Sequence, residues 1–232
     1  LDLHKLRIDR AMAMEIIRIG VPAGLQGMAF SLSNVVVQSS INSFGSSVIV
    51  AGNSASNNIE NFVYIGMSAF TQACITFTSQ NVGAQNLKRI KSIFNHSMVL
   101  TTLSAMLMGF LVWFFGESLL AFYTSDPAVV EAGMLRLFWV SMFLFLNGIL
   151  DVFVSSLRGM GYSSLPTIVM LVGICGVRLL WLLLIFPMHR TLTTIYLCFP
   201  LSWTITSIVL GFIWLYCYRH MLRTNGQQAQ NA

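Results

Sequence analysis

The sequence predicts an all-α membrane protein built of six transmembrane helices, and three observations carry that prediction. The 232 residues are 56% hydrophobic and only 9% charged, where soluble domains carry roughly 25% charged residues. Mean hydropathy is +0.73, which leaves more apolar surface than one soluble core of this size hides, so lipid must cover part of it. The charges fall in clusters separated by apolar stretches of about twenty residues or more. That is the length needed to cross a bilayer core of about 30 Å at 1.5 Å per residue.

The spans are expected near residues 20–42, 55–81, 92–115, 132–157, 165–187 and 193–218. Pro22 is expected to open the first, where its missing N–H costs nothing. The second is the least apolar. Pro166 and Pro187 bracket the fifth, and Pro200 inside the sixth favours a kink. The closing run NGQQAQNA is polar and expected to be disordered. The chain opens at Leu1 in a charged amphipathic segment, LDLHKLRIDRAMAMEIIRIG, with no signal-peptide pattern. That start reads as an internal junction, so the 232 residues are expected to belong to a longer protein. The resulting division is a cytoplasmic connection at 1–18, the helical bundle at 19–220 and a polar cytoplasmic tail at 221–232.

The loops set the orientation. Lys5, Arg7, Arg10 and Arg18 precede the first span; Lys88, Arg89 and Lys91 follow the second. Arg158 follows the fourth, and Arg219 and Arg223 follow the sixth. Only Arg136 and Arg190 lie towards the other side, so the count is ten against two. Basic residues mark the cytoplasmic face, which puts both ends in the cytoplasm. The net charge of +5 is thereby assigned to topology and anionic lipid, and nucleic acid is excluded as a partner. The run TSQNVGAQNLKRIK at 78–91 is a helix end of this kind, with Gly83 expected to turn the chain. It lacks the second glycine and the hydroxyl of a phosphate-binding loop, and GMGYSS at 159–164 lacks the lysine. No ATP site is legible. Cys74, Cys175, Cys198 and Cys217 sit in apolar spans without metal-ligand spacing and read as small buried hydrophobes. The four histidines lie at or near span ends, and no nucleophile–base pair appears, so no enzyme is expected.

Charges within a bilayer cost at least about 2.5–3.5 kcal/mol each, which makes retained ones functional candidates. Three stand out: Glu60, Asp151 and Arg178. Glu60 and Arg178 are each roughly 10–14 Å from the outer face by residue count, a depth that allows a pair. Asp151 lies nearer the cytoplasm, where Arg158 is the expected partner. Asn53, Asn57, Glu60, Asn61, Tyr64 and Ser68 recur at three and four residues and share one helix face. The stripe continues to Thr71, Gln72 and Thr76. It either binds helices together through hydrogen bonds or lines a wet cavity; its length and its glutamate favour the cavity. Asn34 and Gln38 in the first span and Asn147 in the fourth extend it. Met67, Phe62 and Tyr64 beside the stripe offer an adaptable apolar wall.

GVPAGLQ at the first span, QNVGAQNLKRI after the second and SLRGMGYSSLP after the fourth together resemble the multidrug and toxic compound extrusion (MATE) transporters. The resemblance covers about residues 16–223 and is best to the C-terminal lobe of a bacterial member. It implies one six-helix lobe of a twelve-helix, two-lobe transporter in a bacterial inner membrane, with the N-terminal lobe as partner. It further implies antiport, in which inward H⁺ or Na⁺ drives export of small organic, often cationic, compounds, with no cofactor beyond the coupling ion. The family's acids in the first and fourth spans of this lobe fall here near Phe30 or Ser31 and on Asn147, none ionisable, with Asp151 one turn further on. Glu60 is the alternative ion carrier, assisted by Asn57, Asn61 and Arg178. Two other readings are a flippase for lipid-linked sugars, which needs a more cationic cavity than Arg178 alone provides, and a non-transporting membrane scaffold.

Overall fold

The computed structural model describes residues 9–230, and every element among them is helical. The six expected rods are present and most are longer than hydropathy indicates. α1 (Arg10–Asn42) contains Pro22 rather than starting at it. Residues 10–18 of the expected connection are therefore helical and continuous with the first span, while residues 1–8 lie outside the described part. No helix-breaking residue precedes Gly20 in that stretch, which explains the early start.

α2 (Ser47–Gly83) begins eight residues before the expected position, because the Ser46 hydroxyl caps it by accepting from the Ile49 N–H at 3.4 Å. Its far end is a reciprocal turn: Gln85 N–H bonds the Val82 carbonyl at 3.0 Å and Asn86 N–H bonds the Asn81 carbonyl at 2.9 Å. The left-handed residue of that turn is Gln85, at φ 59°, and Gly83 remains helical. α3 (Leu87–Phe114) and the short α4 (Gly116–Ala121) follow.

The fourth rod starts at Pro127, not 132. The Asp126 carboxylate accepts from the Ala128 N–H at 2.9 Å, and Pro127 occupies the first helical position. The rod comprises α5 (Pro127–Arg136), a π-helical stretch (Leu137–Ser141) and α6 (Leu144–Gly159). The fifth has the same construction: α7 (Ser164–Met170), a π stretch (Leu171–Gly176) and α8 (Val177–Leu184). α9 (Leu192–Gln230) runs through Pro200 and onward into the polar tail, so residues 225–230, expected to be disordered, are helical in backbone. Gln and Ala in that tail are good helix formers. Residues 231 and 232 lie outside the described part.

Among the described residues, four rods are both long and apolar enough to cross a membrane: Leu87–Phe114, Pro127–Gly159, Ser164–Leu184 and Leu192–Thr224. α1 and α2 are long enough as well, and they carry polar residues of the site below. Large apolar side chains such as Leu103, Ile168, Leu183 and Phe212 stand on the outside of the bundle, as a lipid-facing surface requires. The four cysteines are free and buried.

α2, α3 and α6 form the centre, with α5 and α9 packed against them. Helices in lipid gain nothing from burying one apolar surface on another, so they associate through small residues and interhelical hydrogen bonds. The α2–α5 seam shows both. A Cβ on Gly52 would lie 2.7 Å from the Val129 carbonyl oxygen, so the two backbones nearly touch. Beside it the Ser56 hydroxyl donates to the Gly133 carbonyl at 2.9 Å.

Candidate functional site: a polar cavity inside the bundle

The α2–α5 seam fixes what comes one turn further along. Ser56 meets Gly133, and one turn on from each, Glu60 meets Arg136. The guanidinium engages both carboxylate oxygens, Nε to Oε1 at 3.0 Å and Nη2 to Oε2 at 2.6 Å. Both residues are buried, at 7% and 5% exposure. Nη1 also donates to Asn53 Oδ1 at 2.7 Å and Nη2 to Asn57 Oδ1 at 3.1 Å. The Asn53 amide donates onward to Gln38 Oε1 at 2.9 Å, and Gln38 to Asn42 Oδ1 at 3.0 Å. A hydrogen-bonded chain thus runs from the end of α1 to the buried ion pair.

This overturns the expected Glu60–Arg178 pair. With the fourth rod starting at Pro127, Arg136 is nine residues inside it, about 13 Å along the axis, and is no loop residue. The signal was present in the sequence: Asp126-Pro127 is a cap followed by a first-turn proline.

Arg178 lies elsewhere in the same cavity, 3% exposed. Its Nε donates to the Ser202 hydroxyl at 3.2 Å and its Nη1 to Asn34 Oδ1 at 3.4 Å. Its Cζ stands 4.3 Å from the centre of the Phe199 ring and 5.9 Å from that of Trp203. Phe199 also lies 5.6 Å from the Arg136 Cζ, so one ring serves two cations. Both arginines abut a π stretch: Arg136 directly precedes Leu137–Ser141, and Arg178 is the second residue after Leu171–Gly176. Such turns recur at functional positions.

Asp151 makes no direct ion pair among the described residues. The Asn147 amide donates to its Oδ2 at 3.3 Å, and Tyr64 lies within electrostatic reach of it in the same cavity wall. The expected Asp151–Arg158 contact is electrostatic but not a direct ion pair. The Arg158 Nη2 instead donates to Gln26 Oε1 on α1 at 2.6 Å.

Glu60, Asn57, Asn61 and Tyr64 of α2 line one cavity of about 380 Å³. Asn34 joins them from α1, Asn147 and Asp151 from α6, and Arg178 from α8. Eight of the nine residues singled out in the sequence therefore converge. Gln38 does not line the cavity and acts through Asn53. The stripe on α2 divides: its first half faces the cavity, whereas Gln72 and Thr76 are exposed away from it. The apolar wall is not Met67, which is buried against Gly148, nor Phe62, which is 69% exposed on the outside. Phe30, Leu144, Met170, Phe199 and Trp203 form it.

Sequence reasoning missed Gln26, Arg136 and Arg158 as lining residues. Hydropathy ends the fourth span at 157 and leaves Arg158 just beyond it, whereas α6 continues to Gly159. The cavity accordingly holds three guanidinium groups, not one.

A bundle of membrane-length helices lining a polar cavity defines a polytopic membrane protein. The chain belongs to the MatE family, whose model matches residues 22–183. A probable multidrug resistance protein, NorM of Thermotoga maritima, is 25% identical over 165 residues, which is 71% of this chain and 35% of that protein. The chain is also similar in structure to a MOP superfamily transporter from Pyrococcus furiosus, with a TM-score of 0.84 at 14% identity over 95% of this chain and 50% of that one. A MATE solved in complex with MaL6 gives 0.83 at 15% identity, over 96% and 50%. The match spans about a third of the curated relative's length, and about half of each solved chain is covered.

Proposed function

We propose that this chain is one lobe of an exporter of organic compounds, an antiporter driven by inward H⁺ or Na⁺ rather than an enzyme. It faces a second six-helix lobe in a bacterial inner membrane and has both ends in the cytoplasm. Multidrug-resistance names among its relatives support efflux, and the charge pattern of the loops supports the orientation.

The observation that carries the coupling is the arrangement of Asp151. Glu60 is bound on both oxygens by Arg136, so exchanging an ion there means breaking a buried fork. Asp151 lines the cavity, is hydrogen-bonded by the neutral Asn147 with Tyr64 nearby, and has room to accept a proton or a sodium ion. The Tyr64 hydroxyl and Asn147 carbonyl supply oxygen atoms of the kind a hard cation takes. The coupling role thus moves from Glu60 to Asp151, and Glu60 holds the lobe together.

The test is efflux of ethidium and of fluorescein from proteoliposomes containing the full-length transporter, under imposed Na⁺ or pH gradients. Gradient-dependent efflux by the wild type and its loss in Asp151→Asn are expected. Undiminished coupled efflux in that variant overturns the role of Asp151; no gradient-driven efflux of either dye by the wild type overturns the exporter.

A further inference from the structure

The cavity contains two carboxylates and three guanidinium groups, and their pairing is unequal. Glu60 is taken by Arg136 in a two-pronged contact. Asp151 lies within electrostatic reach of Arg158. Arg178 is left over: among the described residues no carboxylate lies within ion-pair distance, although the side chain is 3% exposed. Its partners are the hydroxyl of Ser202, the amide oxygen of Asn34 and the faces of Phe199 and Trp203. These use Nε and Nη1, and no hydrogen bond is made by Nη2 to any described residue. An uncompensated buried cation is costly in a bilayer, and it is a strong seat for an opposite charge, because the surrounding dielectric is low. Guanidinium binds carboxylate and phosphate through paired N–H donors and stays charged at every physiological pH.

We propose that Arg178 is the seat for an anionic group of the transported compound, a carboxylate or phosphate whose aromatic or acyl body lies against Phe30, Phe199 and Trp203. This deepens the exporter reading and rests on it only for the direction of movement. The Phe199 ring stacks on one face of the guanidinium, which leaves its N–H edge as the approach for the anion. A volume of about 380 Å³ lies in the range of pockets for drug-sized ligands. The cation expected from family resemblance meets a surplus of positive charge here. An organic anion, or a zwitterion with its anionic end at Arg178, meets complementary charge.

Fluorescein and rhodamine 6G share a xanthene ring and carry opposite charge, so they isolate the electrostatic term. Binding to the full-length transporter in phosphatidylcholine nanodiscs is measured by fluorescence polarisation. Wild type is expected to bind fluorescein about tenfold or more tightly than rhodamine 6G, a decade being about 1.4 kcal/mol. Arg178→Gln is expected to abolish that preference, and Arg178→Lys to keep part of it. Equal or inverted preference in the wild type overturns the proposal without needing any variant to fold, as does an unchanged preference in Arg178→Gln. Repeating the titration with phosphatidylglycerol in the disc separates two sources of the anion. Competition assigns the seat to a lipid headgroup, and none assigns it to a soluble anion; both support it. Gradient-driven efflux in proteoliposomes reads the exporter separately. Efflux with no charge preference sinks the anion seat alone, and Arg178-dependent binding without efflux sinks the exporter alone.

Discussion

Arg136 grips Glu60 through two parallel contacts, at 3.0 and 2.6 Å, and the carbonyl oxygens of Asn53 and Asn57 occupy the donors that remain near it. Removing one partner of a buried pair leaves the other charge stranded. Arg136→Gln is therefore expected to destabilise the lobe by about 3–5 kcal/mol. The double variant with Glu60→Gln should recover a large part of that loss. Thermal unfolding of the two single variants and the double variant in detergent checks both statements; additive losses would mean that the pair is not energetically coupled.

The α2–α5 seam makes a sharper steric prediction. A Cβ on Gly52 meets the Val129 carbonyl oxygen at 2.7 Å and the Gly133 nitrogen at 2.8 Å, both backbone atoms that no rotamer change can move. Gly52→Ala should cost about 1–3 kcal/mol. Gly66 lies in the same helix with nothing within 4 Å of its added Cβ. Gly66→Ala should stabilise by up to about 1 kcal/mol, the gain in helix propensity. Parallel melting curves decide: similar shifts for the two variants would contradict the close approach.

Gln85 occupies a left-handed conformation at φ 59° in the turn after α2. A side chain there costs roughly 1–2 kcal/mol relative to glycine. Gln85→Gly is expected to raise the melting temperature, whereas Gly83→Ala, at a helical position, should leave it unchanged or raise it slightly.

Asn147 donates to Asp151 and Tyr64 lines the cavity near it, both without carrying charge. Tyr64→Phe and Asn147→Ala should each slow gradient-driven efflux about tenfold or more, the order expected when a positioned partner is lost. The affinity for fluorescein at Arg178 should stay within about twofold. Transport rate and dye binding measured on the same preparations separate an effect on coupling from general unfolding, which would depress both.

Much of the architecture was legible because hydropathy and helical periodicity are local. The face shared by Asn57, Glu60, Asn61 and Tyr64 follows from spacing alone, and residue count from the span ends places Asn147 near the midplane. Helix ends were less legible. Val48, Ile49 and Val50 stand beside Gly52, Asn53 and Ser54, and that polarity reads as loop until the Ser46 cap and the contact with α5 account for it. The error with the largest consequence was five residues long. With the fourth rod starting at 132, Arg136 sits one turn inside its outer end and counts with the outer flank, so Glu60 is paired with the wrong arginine and the surplus of positive charge is hidden. Moving Arg136 and Arg158 out of the loop count leaves nine basic residues against one, so the inside bias survives the incomplete site. The partner of a buried charge is a long-range fact, set here by helices more than seventy residues apart.

The π stretch between Arg136 and Asp151 acts as a phase shifter. A wider turn accommodates one more residue than an α-helical turn, and each residue of an α-helix advances the side-chain direction by about 100°. The rod can therefore present Arg136 to Glu60 at one end and Asp151 to Tyr64 at the other, although both targets lie on α2. Straightening 137–141 into a regular α-helix with every residue kept would rotate one end against the other by about that angle. The ion pair and the Asp151 carboxylate would then no longer face the same neighbour, with every side chain of either constellation still in the sequence.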